Sequence, residues 1–489
     1  MNATLVYWIA FLSYSAIVVA IGFRFWWKRR HLAVPEDTGA FWSANQSLSG
    51  WATGLSISAS MMSISWSCVY GVQLFYWYGF GAVWLLLLPW LVTMGAFFVL
   101  ASRFRRRRAF SQPELLERVF GPRSRQLLAP ALIFVFIVWA GAEIFAAGLT
   151  IAPFLGIPVP ATLALIAVVV AAYSFTGGFE AVVSTDRIQF ALVAGFIVIM
   201  AGIALSGWSS GGQEASWWSG AALAPRADPG LPNLFSPGIA LIAMTFVAYL
   251  PGWIVETDVW IRLQAARSDR EARVGVAVAA LNSLLFVGVF PMVIGVTALA
   301  LYPPVAGVIP ERLADGNLIF STLMQDHSPQ WLNLFLGIGL VAAAMSTVDT
   351  CGNVVALSAS YDLLEPALRG RRSGAQLDRM ARWISVAAIG AAFVYALFTE
   401  SLWDIFYLSS GILTTTVFVP VMATFHKAAT PRRVHRAILF GFVGTLIAYA
   451  LESRGLLAGL QPLWLAETQV GYILYGLLLS LLGYGAGRR

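Results

Sequence analysis

The sequence predicts an all-α, polytopic membrane protein with about thirteen transmembrane helices. Hydrophobic residues fill 59% of its 489 positions and charged residues only 11%, whereas an ordinary soluble domain has about 25% charged residues. The apolar residues form runs of about 20, the length at which an α-helix crosses a bilayer. The basic residues gather in alternate loops, as the topology of membrane proteins requires. These three observations exclude a water-soluble enzyme.

The first apolar run, about residues 5–27, predicts a retained helix. It is longer than the apolar segment of a secretion signal, no basic residue precedes it, and Lys28, Arg29 and Arg30 follow it at once. Twelve further runs lie at about 48–75, 80–101, 126–155, 161–175, 187–207, 237–261, 274–302, 330–361, 382–399, 402–425, 435–452 and 468–486. The longest loops, about 208–236 and 303–329, are too short for a separate soluble domain.

The distribution of positive charge predicts the orientation. If the N-terminus is outside, the inside segments hold 28 of the 31 Lys and Arg residues, and only Arg226, Arg312 and Arg454 are outside. A one-helix error in the middle of the chain would exchange the two sets of loops beyond it. The N-terminus is therefore expected outside and the C-terminus inside. The net charge of +7 is then explained by the lipid bilayer, and nucleic acid is excluded as a partner.

The second run is unusually polar for a membrane helix. Between Trp51 and Cys68 it holds six serines and one threonine. Small hydroxyl residues could simply let helices pack closely. The alternative is a helix broken near the membrane midplane, whose freed carbonyls and hydroxyls line a site.

The ninth run carries a polar face. Ser346, Asp349, Thr350 and Asn353 lie at helical spacing on one side, with Thr347 beside them. An ionisable residue inside the membrane is costly and therefore indicates function. Two polar helices far apart in sequence favour a hard-cation site made of backbone and hydroxyl oxygens. That combination is typical of a transporter.

These segments resemble the sodium:solute symporter family, the group of the bacterial sodium/proline and sodium/galactose symporters. The resemblance lies in Gly54–Ser63 with Tyr78-Gly79 following, in Tyr173–Gln189, in Ala343–Thr347 and in Arg262–Arg267. The second stretch is similar to the family's Gly-Gly-x-x-Ala-Val-x-x-Thr-Asp-x-x-Gln element. The likeness covers nearly the whole chain.

The resemblance implies a LeuT-like architecture in a single transporter domain. Two inverted five-helix repeats would comprise spans two to six (about 45–207) and seven to eleven (237–425), each beginning with a broken helix. An extra first helix (1–30) and two C-terminal helices (426–489) would flank them. The break in the seventh span is expected at Pro251-Gly252.

The resemblance also implies a function. The protein would import a small polar organic solute by sodium-coupled, secondary active symport with alternating access, and sodium would be its coupling ion. The location would be a cell membrane of the bacterial inner-membrane type. A competing hypothesis is a transporter-shaped sensor that signals solute occupancy to a separate partner. An enzyme is disfavoured because the chain lacks an HExxH motif and offers no catalytic constellation, so no catalytic residue is predicted.

The family's main sodium site maps onto five positions of this chain. They are the carbonyls of Ala59, Met62 and Ala343 and the hydroxyls of Ser346 and Thr347. The chain departs from the family at Met61, where the proline-type members have aspartate and the galactose-type members asparagine. That departure weakens the case for proline or a sugar as the solute.

Some members of the family have a further sodium between spans six and nine. Its positions correspond here to Asp186, Ser346, Asp349 and Thr350, with Asp349 where a serine is usual. Two carboxylates close together in a low-dielectric interior need a bound cation or a shared proton. The alternative is that Asp349 turns away and bonds a neighbouring helix.

The solute pocket of this fold lies between spans two, three, seven, eight and eleven. The candidate residues are Trp66, Tyr76 or Tyr78, Tyr249, Trp253, Asn282 and Tyr407. Glu143, in the fourth span, could contact the solute, carry a proton or bond a neighbouring helix. Asp258 and Arg262, four residues apart, are expected to form a structural pair. Since no basic residue lies in this predicted pocket, a tightly held carboxylate is disfavoured and a small polar or zwitterionic solute is favoured.

Overall fold

The computed structural model describes residues 3–31, 46–176, 179–211, 216–368, 374–457 and 459–486, and these parts of the chain are helical with short connections. The main helices are α1 (Ala3–His31), α2 (Gly50–Met61), α3 (Ile64–Trp84), α4 (Leu87–Arg106), α5 (Gln112–Phe120), α6 (Pro122–Leu155), α7 (Val159–Thr176), α8 (Phe179–Ser210), α9 (Ile239–Ile254), α10 (Thr257–Ala265), α11 (Asp269–Leu301), α12 (Ile319–His327), α13 (Gln330–Leu368), α14 (Gly374–Leu397), α15 (Leu402–Ala423), α16 (Pro431–Glu452) and α17 (Gly471–Gly485). Short helices at Trp217–Leu223, Asn233–Phe235, Glu311–Gly316 and Leu463–Ala466 lie in the connections.

The described helices confirm an all-α, multi-pass membrane protein. Ten helical segments are long and apolar enough to cross a membrane, and α2 with α3 forms an eleventh span that is bent by 51°. Two more apolar helices, Val159–Ala172 and Gly471–Gly485, are shorter. Each of the predicted apolar runs falls on helical structure. The count of thirteen crossings and the orientation remain predictions.

The second span is broken, which is one of the two alternatives that its serines left open and the one that the family resemblance implies. Helix α2 ends where Met62 leaves helical geometry (φ −85°, ψ 62°) and Ser63 is extended (φ −96°, ψ 164°). The Ser63 hydroxyl then accepts a hydrogen bond from the Trp66 amide (3.0 Å) and begins α3. A serine in this position satisfies one of the amide groups that every helix start leaves without a partner. The break exposes backbone groups at a single point between α2 and α3.

The expected position of the break in the seventh span is wrong. Helix α9 continues through Pro251 and Gly252, and the interruption comes later, at Val255 (φ −117°, ψ 21°) and Glu256 (φ −65°, ψ 132°). Beside the proline, the Thr414 hydroxyl inserts between two backbone groups of α9. The Thr414 hydroxyl donates to the Ala248 carbonyl (2.7 Å) and accepts from the Gly252 amide (2.9 Å), so both groups stay paired.

Helices α2 and α11 pack with their backbones in contact. A Cβ atom added to Gly54 would lie 2.7 Å from the Gly275 carbonyl oxygen, and one added to Gly275 would lie 3.1 Å from the Gly50 carbonyl oxygen. Only glycine fits such an approach, which is a common way for membrane helices to associate. On another side of α2 lies α13, which also packs against α1, α6 and α8. The polar faces of α2 and α13 therefore meet inside the protein.

Candidate solute and cation site

A cavity lies at the break between α2 and α3. It encloses about 600 Å³ of empty space, its open mouth included. Side chains from α4, α6, α9, α10, α13 and α15 complete its wall. The wall combines aromatic rings, carboxylates and hydroxyls, the kind of lining that binds and orients a small molecule.

The aromatic part of the wall is a cluster of rings in edge-to-face contact. The ring centroid of Trp66 lies 4.6 Å from that of Phe406 and 5.6 Å from that of Trp253, and the rings are nearly perpendicular. Trp253 is 5.3 Å from Trp90 in the same arrangement. The indole N–H of Trp253 donates to the Ser410 hydroxyl (3.1 Å). Such contacts fix the orientation of each ring.

Glu143 lies in the middle of α6 and is 2% exposed. Its carboxylate accepts hydrogen bonds from the Ser65 amide (3.2 Å) and from the Ser65 hydroxyl. These donors belong to the first turn of α3, where the helix dipole favours a negative charge. Glu143 also lines the cavity. Two of the roles left open by the sequence are thus compatible with its position: bonding a neighbouring helix and contacting the solute.

Two more carboxylates reach the cavity from the interruption of the seventh span. Glu256 caps α10 and accepts from the amides of Asp258 (3.2 Å) and Val259 (3.3 Å). The Asp258 carboxylate accepts from the Ser60 hydroxyl of α2 (2.8 Å). Both acidic side chains are among those that line the cavity. The two helix interruptions therefore bring their polar residues to one place.

The five residues expected to bind the main sodium are distributed over the end of α2 and the middle of α13. The Thr347 hydroxyl donates to the Ser60 carbonyl (3.0 Å), and the Ser346 hydroxyl donates to the Ala343 carbonyl (3.2 Å). The last turn of a helix has carbonyls with no intrahelical donor, and in α2 this turn includes Ala59. Met62, the next residue after α2, lies at the break itself. Oxygen atoms of the type that sodium prefers thus lie on both sides of the α2–α13 contact.

Arg262 connects four helices, which the sequence did not indicate. Its pairing with Asp258 is confirmed. In addition, its guanidinium donates to Asp186 (3.2 Å), to the Ser56 hydroxyl (2.8 Å) and to the Thr350 hydroxyl (3.3 Å). Arg262 is 1% exposed and Asp186 is fully buried. A positive charge therefore already lies among the residues expected to form a second cation site.

The sequence model of the sodium:solute symporter family matches residues 41–433, most of the chain. The chain belongs to the sodium:solute symporter family. It is similar to a sodium/glucose cotransporter of Vibrio parahaemolyticus, with 26% identity over 78% of this chain and 72% of that protein. It is also similar to the high-affinity choline transporter 1 of Caenorhabditis elegans, with 23% identity over 74% of this chain and 61% of that protein.

Solved structures of two other transporters share the fold of the symporter. A Na⁺-coupled sialic acid symporter in a substrate-bound, outward-open state superimposes with a TM-score of 0.71, at 17% identity and 98% coverage of both chains. Mhp1, a nucleobase-cation-symport-1 family transporter, superimposes with a TM-score of 0.52 at 13% identity, covering 92% of this chain and 94% of its own. At these identities the likeness concerns the fold alone.

Membership of this family makes the protein a sodium-coupled solute symporter, with sodium as the coupling ion and a small molecule as the solute. The alternative of a transporter-shaped sensor receives no support from the comparisons. The family is one of transporters.

The symporter brings only part of the predicted solute-binding set to the cavity. Trp66, Glu143 and Trp253 line it. Tyr249 and Tyr407 lie behind the wall: the ring of Tyr249 stacks on Trp253 at 4.3 Å, and the Tyr407 hydroxyl shares a hydrogen bond of 2.6 Å with that of Thr245.

The other two candidates lie away from the cavity. The Asn282 side chain donates to the Ser58 hydroxyl (2.9 Å), and the Tyr78 carbonyl, near the end of α3, accepts from the Ser236 hydroxyl. Tyr76, the alternative to Tyr78, donates its hydroxyl hydrogen to the Tyr302 carbonyl (2.6 Å). Lining residues that the sequence argument missed include Ser60, Ser63, Trp90, Phe136, Trp139, Glu256, Asp258, Cys351, Phe406 and Ser410. Of these, Glu256 and Asp258 had a visible signal, as acids within an apolar run.

Proposed function

We propose that the cavity at the α2–α3 break is the solute site of this sodium-coupled symporter. The coupling sodium binds beside it, to the carbonyls of Ala59, Met62 and Ala343 and the hydroxyls of Ser346 and Thr347. The hydrogen bond from Thr347 to the Ser60 carbonyl carries this proposal, because both residues line the cavity and also join α13 to α2. A cation bound at this contact would stabilise the closed α2–α13 interface, and with it the wall of the solute site. Sodium then raises the affinity for solute, and solute raises the affinity for sodium to the same extent.

The proposed topology is thirteen crossings, with the N-terminus outside and the C-terminus inside a bacterial-type inner membrane. Ten long apolar helices, the bent pair and the two shorter apolar helices support that number. The 28 Lys and Arg residues that fall on one side under this topology support the orientation. The repeats would occupy about residues 45–207 and 237–425, so that both helix interruptions fall in the first helix of a repeat.

Replacing Thr347 by alanine should weaken sodium activation while leaving insertion into the membrane normal. The variant loses one of about five cation oxygens, and a hydrogen bond or ion contact of this kind is worth about 1.5–3 kcal/mol. We expect the sodium concentration for half-maximal uptake to rise about tenfold or more. The measurement is the sodium dependence of solute uptake into proteoliposomes.

Thr347→Ser is the matched control, since it keeps the hydroxyl and removes only a methyl group. It should stay close to the wild-type sodium dependence. An unchanged half-maximal sodium concentration in Thr347→Ala would contradict the proposed main site.

We also propose a second cation or proton site at Asp186, Ser346, Asp349 and Thr350. Asp349 is 1% exposed and lies on the same face of α13 as Ser346 and Thr350. Asp258 is a third buried carboxylate of this region, and Arg262 pairs with both Asp186 and Asp258. So many acidic groups in a low-dielectric interior favour a bound cation or a proton among them.

Asp349→Asn should lower the number of charges moved per solute by about one, because an amide needs no compensating cation. The ratio of charge to solute flux in proteoliposomes measures this. Asn353→Ala, one turn further along α13, is the control and should keep the wild-type ratio. One sodium per solute at every pH, in both wild type and Asp349→Asn, would refute the second site.

A further inference from the structure

The charged side chains that line the cavity have one sign. Among the described lining residues they are Glu143, Glu256 and Asp258, with no lysine, arginine or histidine. The other polar groups are serine and threonine hydroxyls, indole N–H groups and the Cys351 thiol. The solute therefore meets a mostly apolar, aromatic wall whose charged side chains are all acidic.

The protein's own groups balance only part of this negative charge. Arg262 serves two carboxylates at once, those of Asp258 and Asp186. The contacts of Glu143 and Glu256 are made to neutral donors, namely amides and a hydroxyl at the starts of α3 and α10. Helix starts stabilise a carboxylate but bring no full charge. A carboxyl group that is buried among neutral donors must hold a proton or meet a cation, and at Glu143 and Glu256 a cationic solute can supply that charge.

The same cavity is rich in aromatic rings. Trp66, Trp90, Trp139 and Trp253 line it together with two phenylalanines, Phe136 and Phe406. Tryptophan offers the strongest attraction that a neutral side chain has for an organic cation, and several rings around one space are typical of sites for alkylated ammonium groups. A sugar would require hydrogen-bond donors and acceptors around each of its hydroxyls, whereas the polar groups of this wall are few. A zwitterion would require a donor group for its carboxylate, such as a basic residue.

We propose that the solute of this symporter is a small organic cation of the alkylated ammonium class, held between the aromatic rings and the carboxylates of Glu143 and Glu256. This inference rests on the proposed function, in which the cavity is the solute site. It replaces the zwitterion favoured by the sequence, because the cavity adds Glu256, Asp258 and four unforeseen aromatic side chains of α4, α6 and α15 to its wall.

The decisive experiment compares two probes of nearly the same shape. Choline carries a quaternary ammonium group, and 3,3-dimethyl-1-butanol is its uncharged carbon analogue. Binding to the purified full-length protein in sodium chloride is followed by tryptophan fluorescence and by the shift in unfolding temperature. We expect choline to bind at least about thirtyfold more tightly, as desolvated cation–π contacts allow. Glycine betaine, which adds a carboxylate to the ammonium group, should bind more weakly than choline.

Variants show whether the probe occupies this cavity. Glu143→Gln, Glu256→Gln and Trp66→Leu should each weaken choline binding at least about tenfold, and Trp66→Phe should retain most of it. Glu452→Gln is the matched control, because the Glu452 carboxylate also accepts from amides at a helix start, that of α17, and is not among the cavity's lining residues. It should bind choline like the wild type.

The outcomes separate the two proposals. Two results would overturn the organic-cation class but keep the cavity as the solute site. One is equal affinity for choline and its neutral analogue. The other is tighter binding of glycine betaine, proline or glucose, provided that Trp66→Leu abolishes it. If Trp66→Leu and Glu143→Gln leave the affinity for choline unchanged, the placement of the solute site itself is overturned. Choline binding that sodium displaces would mean that choline occupies a cation site, and that result also overturns the inference.

Discussion

Arg262→Met is expected to destabilise the symporter by about 3–5 kcal/mol, the usual effect of removing one partner of a buried ion pair. The methionine would keep much of the side-chain volume but would leave Asp186 and Asp258 buried without their guanidinium. The hydrogen bonds to Ser56 and Thr350 would be lost as well. Unfolding of the purified protein in mild detergent, followed by fluorescence, measures the effect.

Arg267→Met is the matched control, because Arg267 forms the same type of pair at i,i+4 with Glu271 but is exposed. An exposed pair of this kind contributes at most about 1 kcal/mol. Adding Asp186→Asn to Arg262→Met should recover part of the stability, since it removes one of the stranded charges. If Arg262→Met proved as stable as Arg267→Met, the four-helix connection described above would have no energetic importance.

Trp253→Ala is expected to have the second largest effect. It should lower the affinity for solute more than the affinity for sodium. The indole is 3% exposed, stacks on Tyr249 and meets Trp66 and Trp90 edge to face. Its removal leaves a large hole in the cavity wall, and truncations of this kind lower the free energy of unfolding by about 3–5 kcal/mol. We expect solute affinity to fall by more than tenfold, while sodium still binds at the Thr347 contact.

The measurement is the affinity of the tightest-binding probe together with sodium binding in the absence of solute. Trp253→Phe should lie between the wild type and the alanine variant, because it keeps a ring but loses the hydrogen bond to Ser410. Trp331→Ala, a tryptophan that is 80% exposed, is the control for the general effect of losing an indole. Intact solute affinity in Trp253→Ala would restrict Trp253 to a packing role.

The sequence was sufficient for the helices because the apolar runs and the basic loops are local patterns. The serines of the second span allowed either close packing or a broken helix, and the family resemblance favoured the break, but its position at Ser63 was not predicted. The position of the break in the seventh span was not visible. Pro251 marks the obvious place, yet the hydroxyl that keeps the ladder paired there belongs to Thr414, more than 160 residues away. Glu256 then starts the next helix.

The candidate site was likewise predictable from the sequence only in part. The polar face of α13 follows from the spacing of Ser346, Asp349 and Thr350, and that spacing is preserved in the helix. The reach of Arg262 to Asp186 and Thr350 depends on how three other helices pack, so local spacing revealed only its partner Asp258. Of the four tryptophans in the cavity wall, the family resemblance indicated Trp66 and Trp253, whereas Trp90 and Trp139 were not predicted. The chain has 19 tryptophans, and an indole within an apolar run has the same sequence signature whether it lines a cavity or faces lipid.

The glycine contact between α2 and α11 determines which parts of this symporter can slide during a transport cycle. Where Gly54 meets the Gly275 carbonyl, no layer of side chains lies between the backbones that could shear. We therefore expect helices α2 and α11 to move together as one rigid body. Sliding can take place where side chains form the contact, and between α2 and α13 the hydrogen bond from Thr347 to Ser60 marks such a surface. The proposed sodium site lies at this α2–α13 contact. A bound sodium ion would hold the two helices together, and its release would allow them to slide.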